Sequence, residues 1–173
     1  MGDQLKFGAL NNLFGFHLRQ AYTPFGQAYR EAAANFELKP SQYTVLALIK
    51  HNPGRRQSEL AEALNIERSN FVPIIEALES RGLLIREKSR EDRRSYSIEV
   101  TPKGKALVTK ATAPILAESD RAAAVLSGSE QETLRKLLYK LYSDKKTRPV
   151  NASTGKRLSE LRYIVIEYNY FTT

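Results

Sequence analysis

The chain of 173 residues carries 27 Lys and Arg against 19 Asp and Glu, a formal net charge of +8. Its hydrophobic content of 42% is enough for a core, which excludes a wholly disordered chain, and its length fits one domain with or without an appendage. The basic balance indicates an anionic partner, nucleic acid or an acidic membrane surface, although the excess could also serve solubility alone.

Several classes of site are excluded by composition. The chain has no cysteine, hence no disulfide, thiol nucleophile or zinc–thiolate site. Its two histidines, His17 and His51, have no ligand-like partner nearby, so we expect no metal and no cofactor. No run of about 18 apolar residues could span a membrane, and the start of the chain is unlike a signal peptide. The expected location is the cytoplasm.

The first third of the chain has helical periodicity. Apolar residues recur every three or four positions over residues 5–36, where Pro24 either kinks one long helix or separates two shorter ones. Pro40 suits the start of a second helix over residues 41–50, and the Asn-Pro-Gly at 52–54 stops it.

A pair of helices and a hairpin follow. Residues 57–64 predict a short helix with small Ala61 and Ala63, and residues 67–81 predict a longer one that Gly82 ends. Apolar and polar residues then alternate as in half-buried strands, on either side of a polar turn at 88–94. This predicts a β-hairpin with a charged tip, its apolar positions being Leu83, Ile85, Tyr96, Ile98 and Val100.

Two more helices complete the predicted domain. Thr101 as N-cap and Pro102 as first residue open a helix to about residue 126, with Pro114 as an expected kink. Ser129 and Glu132 have the spacing of a capping box for the last helix. One face of that helix is a leucine stripe, which fits either a monomer core or a dimer face: Leu134, Leu137, Leu138 and Leu141.

The tail over residues 145–173 differs in character. Six basic and two acidic residues give it a net +4, half of the charge of the chain. Its apolar stretch at 163–171 is typical of an edge strand, a sticky tail or sequence foreign to the domain, and we assign it no function.

Helix, helix, helix, hairpin, helix is the order of a winged helix-turn-helix, a mainly α fold with a small β-hairpin wing. Its second paired helix enters the major groove, where Arg can pair with guanine and Asn with adenine. The hairpin tip can reach phosphates or an adjacent minor groove, although it could also be a solvated turn. The candidate DNA contacts are Arg68, Ser69 and Asn70 on the helix and Arg90, Arg93 and Arg94 on the tip.

The chain resembles the MarR family of bacterial transcription regulators over about residues 10–142. Three blocks carry the resemblance: residues 57–64, 78–84 and 92–104. The third is the most specific, because it is similar to the wing signature of the family. That signature is an Asp-x-Arg, here Asp92 and Arg94, followed by a hydrophobic residue, Thr and a Lys-Gly pair.

The resemblance implies a homodimer whose N- and C-terminal helices, residues 1–36 and 102–144, interlock beside a DNA-binding lobe at 37–101. It places the leucine stripe in that dimerisation region. It implies binding to a pseudo-palindromic operator in double-stranded DNA, with half-sites about 34–36 Å apart. Arg94 would enter the minor groove and Asp92 would hold it. Many members are repressors released by small aromatic acids or phenolic compounds, bound between the dimerisation helices and the DNA-binding lobe.

Four side chains could bind such an effector: His17, Arg19 and Tyr22 on the first helix and Tyr43 on the second. Arginine pairs with a carboxylate and tyrosines stack on a ring, so they suit an aromatic acid. A coenzyme A thioester is also possible, with its phosphates at Arg19 and His17. Equally, the tyrosines could be core packing and Arg19 a salt bridge.

Pro73 departs from the family pattern. If its helix begins near Glu67, the proline removes one backbone hydrogen bond and bends the helix. If Asn70 is the N-cap, Pro73 is the third helical residue and no bond is lost.

Two functions compete with that of a ligand-responsive regulator. One is a DNA-binding protein without an effector, architectural or constitutive. The other, an enzyme, is not expected, because the sequence has no Gly-rich phosphate loop, nucleophile elbow or metal-spaced cluster.

Overall fold

The computed structural model of the chain describes residues 5–88 and 96–143. A short 3₁₀ helix, Gly8–Asn12, precedes the first α-helix. The other elements of the described residues follow in chain order: α1 Phe14–Ala34, α2 Pro40–His51, β1 Arg55–Arg56, α3 Gln57–Ala63, α4 Arg68–Ser80, β2 Leu84–Lys88, β3 Tyr96–Val100, α5 Pro102–Ala122 and α6 Gly128–Ser143. The mainly helical class with a hairpin wing is confirmed.

Prolines lie both inside the helices and at a helix start. Pro24 lies inside α1, so the alternative of two separate helices at that point is wrong. Pro40 is the first residue of α2, and the Gln42 side chain accepts a hydrogen bond from the Lys39 amide at 2.9 Å. Pro114 lies inside α5, which ends at Ala122, four residues before the predicted end.

The start of α6 corrects the predicted capping box. The box is formed by Ser127 and Glu130 rather than by Ser129 and Glu132. The Ser127 amide donates to Glu130 Oε2 at 2.8 Å, and the Glu130 amide donates to Ser127 Oγ at 3.4 Å. The Ser127 hydroxyl also donates to Glu130 Oε2, at 2.7 Å, and this bond together with that of the Ser127 amide lowers the pKa of the Glu130 carboxyl. Two Ser-x-x-Glu frames overlap here, and the first one caps the helix.

The sheet has three antiparallel strands in the order β1-β3-β2, and β1 was not predicted. In the hairpin, Leu84 pairs with Val100 and Lys88 with Tyr96. Ile85 was predicted to face the core, but it is 42% exposed, whereas its neighbour Leu84 is fully buried. The predicted inward face of this strand is therefore wrong by one residue. The positive φ of Gly82, 66°, turns the chain so that Leu83 and Leu84 are both buried before the alternation begins.

One core joins the helix-turn-helix to the helices on either side of it. α4 packs against α2 and β2, and α1 packs along α5. The small Ala33 on α1 and Ala111 on α5 are fully buried, which lets these helices approach closely. The largest fully buried side chains are Phe71, Leu46, Ile49, Ile75, Leu78, Leu83, Leu84, Ile98, Val45 and Val108.

Candidate functional site

The pair α3 and α4 has the geometry of a helix-turn-helix. Leu60 and Ala61 are buried on α3, and the turn closes with the Ile66 amide donating to the Ala61 carbonyl at 2.9 Å. Asn65 has a φ of 54°, a conformation that asparagine tolerates better than most residues.

Helix α4 begins where the first of the two Pro73 alternatives puts it. The Glu67 carbonyl accepts from the amides of Asn70 and Phe71, both at 2.9 Å, and Arg68 is the first helical residue. Asn70 is therefore not the N-cap, and that alternative is wrong. Pro73 is the sixth residue of the helix, where it deprives the Ser69 carbonyl of its usual partner.

The start of α4 presents polar side chains to solvent. Arg68 and Ser69 are exposed, and Asn70 is half-buried beside the core residue Phe71. Unpaired amides at a helix N-terminus and the positive end of its dipole favour a nearby phosphate. The geometry is compatible with DNA contact, which stays a prediction for these three side chains.

The wing strands lead into the predicted basic tip. Arg90, Asp92, Arg93 and Arg94 lie outside the described residues, between Lys88 and Tyr96. At the root of the wing, Arg86 Nε lies 3.2 Å from Glu79 Oε2 on α4, an ion pair without the angles of a hydrogen bond. This pair links the wing to the same helix that carries Arg68.

Two basic residues, Arg55 and Arg56, form β1 on the edge of the sheet. Arg55 pairs with Ile98 and Arg56 with Ser97 of β3, and both arginines are exposed. The Glu59 carboxylate lies 3.6 Å from Arg55 Nη1 and 3.8 Å from Arg56 Nε. Two cations therefore lie beside the strand that leaves the wing, a position that only the strand pairing reveals.

The end of α4 is bound to the start of α5 by a group of hydrogen bonds that we call the α4–α5 junction. Three successive carbonyls, of Arg81, Gly82 and Leu83, accept from Lys103 Nζ at 2.9 Å, Thr101 Oγ1 at 2.8 Å and the Thr101 amide at 3.1 Å. The last helical carbonyls are bound within the helix end itself, where the Gly82 and Leu83 amides donate to Glu79 and Leu78, so the junction instead binds the turn that follows α4. In the family signature Thr-x-Lys-Gly, the Thr and the Lys therefore bind the carbonyls of this junction.

The predicted effector residues do not form one cluster. His17 Nε2 lies 2.8 Å from the Asn11 carbonyl, and its ring packs edge-on against Phe16. Five residues along a helix amount to about 140° of rotation, so His17 and Tyr22 face different directions. Arg19, by contrast, is three residues before Tyr22 and shares its side of α1.

Two residues that sequence reasoning missed lie next to Tyr22. A Cβ atom on Gly26 would lie 3.0 Å from the Tyr22 ring and 3.5 Å from Arg30 Nη1, so the glycine leaves room for both. Partial burial raises the pKa of Tyr22, and Arg30 opposes this shift. The signal in the sequence was the helical spacing of Arg19, Tyr22, Gly26 and Arg30, which we call the α1 arginine face.

Tyr43 already has partners within the chain. Its hydroxyl donates to Thr112 Oγ1 on α5 at 3.0 Å, and its ring meets Tyr29 edge to face at 6.0 Å between centroids. Tyr29 in turn donates to the Pro40 carbonyl at 3.1 Å, and burial raises the pKa of Tyr29 to about 12. A role of Tyr43 in effector binding remains a prediction.

The leucine stripe lies on the surface of the single chain. None of the described residues of α6 is buried, and Leu137 and Leu141 are 55% and 63% exposed. A shallow apolar groove on α6 is lined by Leu134 and Leu137 with Ser129, Glu130 and Thr133. Further exposed apolar residues lie at the other end of the chain: Phe7, Leu10, Leu13, Phe14, Leu18 and Tyr22.

The described part of the chain offers neither a metal centre nor a membrane helix. Among residues 5–88 and 96–143 no group of three His, Asp or Glu could hold a metal ion. No helix within the same residues is both long and apolar enough to cross a membrane.

Comparison with known proteins places the fold and the site in context. The model of the MarR family matches residues 38–96, which run from before α2 to the start of β3. A protein named as a transcriptional regulator of the hcr operon in Thauera aromatica is 34% identical over 86% of this chain and 90% of its own length.

Solved structures of a repressor named CouR are similar over nearly their whole length. CouR bound to a 23-mer DNA duplex has a TM-score of 0.76 at 35% identity, over 81% of this chain and 99% of that one. CouR bound to p-coumaroyl-CoA has a TM-score of 0.73 at 32% identity, over 82% and 99%. CouR from Rhodococcus jostii RHA1 with the same ligand has a TM-score of 0.70 at 25% identity, over 80% and 97%.

Proposed function

Because this chain belongs to the MarR family of transcriptional regulators, we propose that it is a repressor whose affinity for its operator falls when an aromatic effector binds. The effector is a small aromatic acid or phenolic compound, and we favour its coenzyme A thioester. We place the protein in the cytoplasm, where bacterial operators lie. The observation that carries the proposal is the exposed polar start of α4, in a fold so similar to a repressor solved on DNA.

On DNA, α4 lies in the major groove with Arg68, Ser69 and Asn70 near the bases. Arg90, Arg93 and Arg94 of the wing tip reach phosphates or the minor groove, and Asp92 orients Arg94. Arg55 and Arg56 stand beside the wing strand, where they suit a phosphate of the same groove. Phosphate contacts fix the position of the protein on the duplex, and the base contacts of α4 provide the sequence preference.

The acting species is a homodimer, because the family is dimeric and binds symmetric operators. Exposed leucines on α6 and exposed apolar residues before and within α1 supply the surface that a second copy covers. Large exposed apolar patches are typical of protein–protein contacts, so these side chains suit coverage by a second copy. Leu134, Leu137, Leu138 and Leu141 are the proposed dimer contacts.

The effector binds on the α1 arginine face. Arg19 and Arg30 can pair with the carboxylate or phosphates of the ligand, while Tyr22 stacks on its ring. The comparisons favour a thioester, because similar repressors are solved with p-coumaroyl-CoA. α1 packs along α5, and Thr101 at the N-cap of α5 binds the turn after α4, so contiguous contacts connect the proposed ligand face to the DNA-reading helix. A distinct effector site with different affinity in two states would make this repressor allosteric.

DNA binding and release can be measured in one experiment. The duplex that the protein binds best is selected from a randomised 24-base-pair library, labelled, and followed by fluorescence anisotropy. We expect selective binding, and release by p-coumaroyl-CoA or benzoyl-CoA but not by coenzyme A alone. Lack of any selected sequence would contradict the proposal as a whole.

Single substitutions test whether the effector binds on the α1 arginine face. Arg30→Gln should need a higher thioester concentration for release, at unchanged DNA affinity. Arg121→Gln, an exposed arginine near the end of α5, serves as the matched control and should behave as the wild type. If DNA binds selectively but no aromatic acid, phenol or thioester weakens binding, the protein is a constitutive DNA-binding protein, the competing function.

A further inference from the structure

One side of α4 faces solvent along the whole helix. Its exposed residues Ser69, Pro73, Glu76 and Ser80 are spaced by four, three and four positions. This spacing puts them in one narrow stripe, which we call the outer stripe of α4. The buried residues Phe71, Ile75 and Leu78 occupy the opposite side and hold the helix on the core.

Pro73 is the apolar member of the outer stripe, between Ser69 and Glu76. A proline inside a helix removes a backbone hydrogen bond and costs about 3 kcal/mol. Its ring is exposed, so burial within the chain does not offset this cost. Natural proteins break such local rules mainly at functional sites, which makes Pro73 a candidate contact residue.

The major groove presents one apolar group among polar base edges, the 5-methyl group of thymine. Pro73 lies four residues, or about 6 Å, along the helix from Ser69, which is about two base pairs further along the groove. Its ring has neither a donor nor an acceptor, so it cannot form the hydrogen bonds by which other bases are read. It can make van der Waals contact with a methyl group.

We propose that Pro73 is a specificity-determining residue that packs against the 5-methyl group of a thymine in each operator half-site. The proposal rests on the DNA-binding function proposed above. It predicts that the operator has, in each half-site, a thymine that cytosine cannot replace without loss of affinity. In the homodimer, the two copies of Pro73 contact two symmetry-related thymines.

The methyl group can be removed without altering base pairing. In the duplex selected by the wild-type protein, each thymine is replaced in turn by deoxyuridine, which lacks only the 5-methyl group. We expect one thymine per half-site at which the replacement weakens binding about four-fold, the effect of exposing one methyl group. The affinity is measured by anisotropy at constant salt.

A second variant assigns that loss to Pro73. Pro73→Ser restores a backbone amide to the helix and removes the ring, so it should fold, as circular dichroism would check. It should bind the thymine and deoxyuridine duplexes equally well. Ser80→Ala, on the same stripe at its far end, should keep the four-fold difference. This double-mutant cycle isolates the contact between ring and methyl group.

Three results would overturn the inference. The first is that replacing thymine by deoxyuridine weakens binding at no position. The second is that the four-fold difference between thymine and deoxyuridine duplexes persists unchanged in Pro73→Ser. The third is that Pro73→Ser lowers the affinity for every duplex by the same factor, which would mean that Pro73 only bends the helix. Absence of any selected duplex is a different result, because it also rejects the DNA-binding function itself.

Discussion

The hydroxyl of Thr101 donates a hydrogen bond to the carbonyl of Gly82 at 2.8 Å, which ties the residue before α5 to the end of α4. The same oxygen accepts from the Gly104 amide at 3.1 Å as the N-cap of α5. One side chain therefore binds the turn after the helix proposed to read DNA and caps a helix of the proposed dimerisation region. Thr101 thereby connects the start of α5 directly to the turn that follows α4.

We expect Thr101→Val to destabilise the protein by about 1–3 kcal/mol. Valine has nearly the same shape but cannot cap α5, and it leaves the Gly82 carbonyl without its donor. Urea denaturation followed by circular dichroism measures this loss. Thr101→Ser keeps the hydroxyl and should recover most of the stability, whereas equal losses in both variants would show that the methyl group matters instead.

Gly104→Ala should be more damaging than its single added carbon suggests. A Cβ atom at this position would collide with the Leu83 carbonyl oxygen and lie 2.6 Å from Val100 Cγ1. Helix α5 must therefore move away from the sheet, at a cost of about 1–3 kcal/mol or more.

A matched glycine at the start of α6 provides the control. Nothing lies within 4 Å of a Cβ atom on Gly128, so Gly128→Ala should leave the midpoint of thermal unfolding nearly unchanged or slightly raised. Equal midpoints for the two variants would contradict the close approach at Gly104.

Tyr29 should make the protein sensitive to alkali. Because burial raises the pKa of Tyr29 from 10.0 to about 12, the folded state holds this proton more tightly than the unfolded state. The resulting stability is fully present below pH 10 and is lost as the pH rises from 10 through 12. The loss is on the order of 2 kcal/mol.

Comparison with Tyr29→Phe isolates this effect. The variant lacks the hydrogen bonds of the hydroxyl with Pro40 and Thr44, so it should be less stable than the wild type near pH 8. The difference in unfolding free energy should shrink between pH 10 and 12. A difference that stays constant over that range would show that Tyr29 titrates normally.

The wing can be tested through salt dependence. Arg94→Ala should lower affinity for the selected duplex and reduce the slope of log K against log salt concentration by about 0.9, the effect of one lost phosphate contact. Arg68→Ala should lower affinity mainly for the preferred sequence, because base contacts carry specificity. An unchanged slope and affinity for Arg94→Ala would remove that residue from the interface, and Arg121→Ala gives the baseline.

The leucine stripe makes a prediction about assembly. Leu137→Asp places a charge on an exposed apolar face, so it should convert a dimer into monomers if a second copy covers that face. Sedimentation velocity at several concentrations measures the change. Ile85→Asp alters an apolar residue of β2 that is 42% exposed and should leave the dimer intact. A dimeric Leu137→Asp would place the interface elsewhere.

Local chemistry made the helix boundaries predictable in several places. Thr101 with Pro102, Pro40 at the start of α2 and Gly82 after α4 were all located from sequence, because caps depend on a few consecutive residues. The same locality explains the error at α6. Its start holds two overlapping Ser-x-x-Glu frames, and spacing alone does not distinguish them.

The order of helices and hairpin, the polar start of α4 and the wing signature were all determined by the sequence itself, because periodicity and caps are properties of neighbouring residues. Only the tertiary structure decided that β1 joins the sheet, that Tyr43 bonds Thr112 and that Arg30 lies beside Tyr22. The first two are contacts between elements far apart in the chain, and the third depends on the direction in which each side chain leaves α1.

The net charge of +8 indicated an anionic partner, but it does not show which residues contact that partner. The outer stripe of α4, which is proposed to face the bases, carries no basic residue.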